Sequence, residues 1–159
     1  MSDFEFGSVL PKSEEGEALG REINAWLDKV KKSGELEQMT NRWTKGKDSE
    51  KVVPNYESLP ATKGTLTMAT EGAYPPMNYY RDNELVGLEI ELAARFCEST
   101  GYGLKITPMN FDATLPAVQS GKAYFALAAL GFVVFLLCRN GGRIANGISG
   151  APKTKFLRE

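Results

Sequence analysis

The chain reads as an α/β protein, in essence one lobe with a parallel-type sheet flanked by helices, and three observations carry that reading. From Lys63 to Leu130 the residue pattern runs strand, helix, strand, helix, strand, which is the order of βαβ units. Glycine or proline punctuates the junctions. The last block, Ala123 to Leu130, is continuously apolar, as a strand covered on both faces must be.

Taken in order, Thr65 to Thr70 alternates and then gives way to Glu71-Gly72-Ala73-Tyr74-Pro75-Pro76-Met77, where two prolines exclude regular structure. That is a strand ending in a ligand-ready loop. Leu88, Leu92 and Phe96, flanked by Ile90, Ala94 and Cys97, form one helix face that Gly101 closes. Gly103 to Met109 alternates again through Leu104, Ile106 and Pro108. Asp112 is expected to cap a short helix, Ala113 to Ser120, with Pro116 near the first turn and Gly121 at its end.

The front of the chain is helical. Phe4 to Lys12 reads as a short extended piece stopped by Pro11. Ser13 caps a helix with Glu14, Glu15 and Glu17 in its first turn and Lys29, Lys31 and Lys32 in its last, as the macrodipole favours. Its buried face is Leu19, Ile23, Trp26, Leu27 and Val30, and Gly34 supplies the left-handed stop. Glu35 to about Trp43 is a second helix with a Leu36, Met39, Trp43 stripe that must dock on something. Both tryptophans read first as core residues. Thr44 to Thr62 is polar and charged and reads as a linker, able to span several tens of ångströms at about 3.3 Å per residue.

Composition narrows the function classes. The net charge is -1, and no basic stripe supports nucleic-acid binding. The chain contains no histidine, which removes Ser-His and Cys-His nucleophile pairs and imidazole metal sites. No catalytic constellation, metal site or cofactor motif is therefore expected. Cys97 and Cys138 both lie among apolar residues and read as small hydrophobes rather than a disulfide framework. Met1 to Phe6 has neither a basic nor an apolar region, so no secretory signal is expected on this chain.

Residues 63–130, through Gly64-Thr65-Leu66, Thr70 to Met77, Leu85 to Leu92 and Phe111 to Lys122, resemble the amino-terminal part of a family 3 extracellular solute-binding protein. Phe6 to Lys12, Glu22 to Leu27, Lys32 to Leu36 and Arg42-Trp43 are similar to the carboxy-terminal end of the same family. The resemblance thus presents a family tail before a family head. It divides the chain into a C-terminal-type helical segment (1–45), a linker (46–62), an N-terminal-type lobe segment (63–130) and an atypical tail (131–159). Either a tandem array, the favoured explanation, or a circular permutation gives that order, and in both residues 4–43 would dock on 63–130.

The resemblance implies a partial periplasmic-binding-protein-like fold of type II and a polar amino acid as ligand. It also implies an ABC permease as partner in the parent system and a periplasmic or cell-surface location. Carried over residue by residue, Tyr74 and Phe111 are the aromatic contacts and Glu71 an acidic contact beside the ligand. Read without the resemblance, Tyr74 could equally cap the loop against the sheet, Phe111 anchor a helix, and Glu71 be a solvated loop charge. Past Leu130 the pattern departs from the family: Ala128, Ala129 and Gly131 replace small polar residues, Tyr124 replaces an aspartate, and no carboxylate-clamping arginine follows.

The apolar stretch 123–138 falls short of the ~20 residues of a membrane helix. Residues 131–159 read as an altered reading frame or a truncation scar. The expected function is a non-enzymatic fragment of an amino-acid-binding protein, weak or inactive in binding because a second lobe is missing. A sensor or receptor lobe of a tandem fusion is the alternative. An enzymatic lobe, like those of some cell-wall lyases and dehydratases, lacks any catalytic constellation here.

Overall fold

A computed structural model of the chain describes residues 8–127 and the two-residue strand Ile144–Ala145. Its element order is β1 (Ser8–Val9), α1 (Glu14–Lys32), α2 (Glu35–Lys45), two 3-10 turns (Asp48–Glu50 and Tyr56–Ser58), and then β2 (Thr65–Thr70). A small sheet of β3 (Ala73–Tyr74), β4 (Asn78–Arg81) and β5 (Glu84–Val86) follows, then α3 (Leu88–Thr100), β6 (Gly103–Pro108), α4 (Phe111–Gln119), β7 (Phe125–Ala126) and β8 (Ile144–Ala145).

The main sheet has the order β6-β2-β7-β1-β8. Its heart is parallel: β2 pairs with β6 from Thr65↔Gly103 to Thr70↔Pro108 and with β7 at Met68↔Phe125 and Ala69↔Ala126. β1 runs antiparallel to both of its neighbours, β7 and β8. Because side chains alternate along β2, it feeds two cores. Leu66 and Met68 enter the larger one, with residues of α1, α2 and α3, while Ala69 joins Val9, Ala117, Val118, Ala123 and Ala126 under α4. Both faces are covered at the middle of the sheet, which is why Met68, Ala69, Phe125 and Ala126 are all buried.

The two front helices share that larger core. Leu19, Ile23, Trp26, Val30, Leu36, Met39 and Trp43 are all buried in the cluster that holds Ile90, Phe96 and Leu104. Each such side chain contributes about 1.5–3 kcal/mol when removed from water. Ser13 caps α1 by accepting from the Gly16 N–H at 3.1 Å, and Gly34, at φ 79, turns the chain between α1 and α2. Trp26 meets Phe96 edge-on at 5.8 Å, and Trp43 meets Tyr79 likewise at 6.3 Å.

A buried charge fixes how these helices sit. Glu91 on α3 is fully enclosed and accepts from Trp43 Nε1 at 2.6 Å, from Arg95 Nε at 2.7 Å and from the Arg42 guanidinium. An uncompensated carboxylate there would be prohibitive, so α2 must bring Arg42 and Trp43 to it.

The connector between α2 and β2 lies along the lobe rather than spanning space. Val53, Tyr56 and Leu59 pack on the core, and Arg81 donates to the carbonyls of Asp48 and Lys51, the latter at 2.9 Å. Its apolar residues are few but sufficient to hold it. Burial, with Glu57, Tyr80 and Glu84 nearby, raises the Tyr56 phenol above its ordinary range.

Three readings of the sequence need correction or placement. Asn110, not Asp112, occupies the cap position of α4, and Asp112 lies inside the first turn. The helix begins earlier because Ala113 N–H already bonds the Asn110 carbonyl at 2.8 Å. The strand expected over 123–130 is Phe125–Ala126 among the described residues, and 128–130 lie outside them, as do Phe4 to Gly7, Cys138 and, apart from β8, the tail. Cys97 is a free, buried thiol. Among the described residues no helix is long and apolar enough to cross a membrane.

Candidate functional site

The parallel strands β2 and β6 end side by side, with Thr70 opposite Pro108, and Met109 N–H donates to the Thr70 carbonyl at 2.8 Å. Glu71 leaves the first of these ends and Phe111 opens α4 just past the second. In parallel sheets the carboxyl ends of the strands are where loops converge on ligands. The topology therefore places Glu71 and Phe111 at one edge, and Tyr74 follows three residues after Glu71, on β3. Tyr74 is 54% and Phe111 48% exposed, unusual for large aromatics, and Glu71 is half-buried. At that exposure the Phe111 ring is not a core anchor.

The loop carrying Tyr74 is tied down at several points. Met77 N–H bonds the Tyr74 carbonyl at 2.8 Å, and Leu88 and Glu89 N–H, at the start of α3, bond the carbonyls of Pro76 and Met77 at 3.0 Å each. Gly87 makes this possible. It sits at φ 138, and a Cβ there would stand 2.0 Å from the Met77 carbonyl oxygen, so no side chain fits. Asn78 is fully buried; its Oδ1 accepts from Gly72 N–H at 2.8 Å and its Nδ2 donates to Glu89 Oε2 at 2.7 Å.

Sequence reasoning missed the β3-β4-β5 unit, and with it Asn78, Glu89 and Tyr80. Its turn is the Asp82-Asn83 pair, both left-handed at φ 51 and 66, which is a legible if weaker form of the two-residue hairpin signal. A second overlooked signal was Glu89 and Glu91 inside the apolar run Leu88 to Leu92, where two carboxylates need buried partners.

A concavity of about 580 Å³ lies elsewhere, at the amino ends of β2 and β7, walled by Ser13, Leu19, Glu22, Lys63, Tyr102 and Tyr124. Three of its polar side chains engage one another. Glu22 takes the Lys63 ammonium and the Tyr102 hydroxyl, the latter at 3.1 Å, and this bond to Glu22 raises the Lys63 pKa. The carboxyl edge, where the loops after two parallel strands converge, is the better candidate.

Comparison with known proteins finds that residues 66–132 match the family of bacterial extracellular solute-binding proteins, family 3. Over that segment the chain is similar to this family. The octopine-binding periplasmic protein of Rhizobium meliloti is 37% identical over 71 residues, a match covering 44% of this chain and 24% of that protein. The L-cystine-binding protein TcyJ of Escherichia coli (strain K12) is 31% identical over 61 residues, covering 38% and 23%. Among solved structures, an ancestral arginine-binding protein bound to arginine is 39% identical, covering 41% of this chain and 29% of that one, with a TM-score of 0.40. The chain thus spans about a quarter of the length of these solute-binding relatives. The family segment contains Glu71, Tyr74, Asn78, Glu89 and Phe111, and its last residues, 128–132, lie outside those described.

Proposed function

We propose that this chain is part of an extracytoplasmic amino-acid-binding protein of an ABC import system, acting by binding and not by catalysis. In this reading Tyr74 and Phe111 flank a polar amino acid, Glu71 is an acidic contact beside it, and delivery is to a membrane permease. The observation that carries it is the pair of half-exposed rings, Tyr74 and Phe111, at the carboxyl edge of a family 3 segment. The relatives named for octopine and L-cystine support an amino-acid-like ligand. Residues 1–45 act as a C-terminal-type helical segment, 46–62 as a linker, 63–130 as the N-terminal-type lobe segment and 131–159 as an atypical tail.

Residues 8–127 by themselves leave a ligand at this edge open to water, which weakens every polar contact made to it. Titration of the ¹⁵N-labelled chain with L-arginine should give millimolar affinity, on the order of a few kcal/mol. Amide shifts should concentrate at Glu71 to Tyr74 and Asn110 to Asp112. Tyr74→Ala and Phe111→Ala should each abolish them. A response centred on Lys63 and Tyr102 would move the site to the opposite end of the sheet and overturn the assignment.

A further inference from the structure

We propose that Asn78, through its buried bond to Glu89, is a positioning residue that sets the direction of the Glu71–Met77 loop and so the place of Tyr74. The inference rests on the binding reading above only for its ligand arm.

Asn78 and Glu89 are 0% and 3% exposed. Apolar residues would fill that space without the cost of desolvating an amide and a carboxylate. What the polar pair supplies instead is direction. Gly72 N–H needs an acceptor and Glu89 Oε2 needs a donor, and a single primary amide meets both. Turned over, the same amide would set its NH2 against an N–H and its oxygen against a carboxylate, so only one orientation survives.

The chain of contacts is short. Glu89 is fixed on α3, and its own N–H already holds the Met77 carbonyl at 3.0 Å. Asn78 carries that fixed point to Gly72, two residues before Tyr74. Register completes the link, since Tyr74 pairs with Asn78 across β3 and β4. The Tyr80 ring closes over Gly72 from the other side; a Cβ on Gly72 would lie 3.0 Å from its Cε2 atom. The loop is held at both ends of its turn before any ligand arrives, which is what preorganisation requires.

The test uses the full chain, ¹⁵N-labelled, with L-arginine as the probe. In Asn78→Asp two carboxylates face each other, so the Gly72 amide resonance should leave its hydrogen-bonded position and L-arginine affinity should fall about tenfold. The double variant N78D/E89Q reverses donor and acceptor: the carboxylate introduced on β4 accepts both from the Gly72 N–H and from the side-chain amide introduced on α3. It should restore the Gly72 resonance and the affinity, whatever its urea midpoint, which a purely structural role would not do.

If Asn78→Asp fails to fold, the double variant alone decides, by whether it folds with the wild-type Gly72 resonance. An unchanged Gly72 resonance in Asn78→Asp, or a double variant that does not recover, overturns the proposal. Absence of any L-arginine response in the wild type would defeat the binding reading, while the Gly72 resonance would still judge the positioning role.

Discussion

Replacing Glu91 by alanine takes one acceptor group from three donors at once. Trp43 Nε1, wholly buried, would be left without a partner at a cost of about 1–3 kcal/mol. The Arg42 and Arg95 side chains are 26% and 34% exposed and would turn to water, so each adds only about 0.2–1 kcal/mol. With the small cavity left behind, the total is about 3–5 kcal/mol, the range for breaking a buried pair from one side. A domain of this size has about 5–15 kcal/mol in all. Urea denaturation followed by tryptophan fluorescence is well suited, because both tryptophans lie on the docked helices. At a slope of about 1.5 kcal/mol per molar, the midpoint should drop by roughly 2–3 M. Arg95→Ala should move it by less than about 0.7 M. A Glu91→Ala loss below about 1 kcal/mol, with Trp43 emission unchanged, would refute the idea that this carboxylate fastens α2 to α3.

Two further outcomes follow from burial and backbone geometry. Burial pushes the Cys97 thiol from 9.0 up to about 12, so the folded state holds its proton longer than the unfolded chain. The associated stability is fully present below about pH 9 and is lost as pH rises toward 12. Cys97→Ala should flatten that part of the stability-pH curve, and an identical slope in both proteins would contradict it. Gly87→Ala forces a Cβ into the Met77 carbonyl at a left-handed position and should cost about 2–3 kcal/mol, measured as a fall in urea midpoint; a neutral result would mean the loop is not clamped there.

Much of this fold is legible in the residues because each signal has a local cause. Ser13 and the flanking charges mark α1, Gly101 ends α3, and the alternation in Thr65 to Thr70 and Gly103 to Pro108 marks the two paired strands. The boundary at α4 was misread because Asp112 and Asn110 are equally good caps, and only packing chooses between them. The hairpin over 78–86 was hidden by its neighbours: two prolines precede it, and Asp82-Asn83 lacks the glycine that makes such turns conspicuous. For the proposed site, Glu71, Tyr74 and Phe111 could be named from family likeness, and the register of β2 with β6 explains why Glu71 and Phe111 share an edge. Asn78 could not be named, since a partner eleven residues away on another element leaves no periodic trace.

The alternation along β2 has a consequence for what evolution can edit. Because successive side chains serve opposite interiors, an added or deleted residue between Leu66 and Ala69 would exchange the contents of both at once. Substitutions there are graded injuries, whereas a change of length is not, so this strand constrains the spacing of its gene more tightly than its spelling.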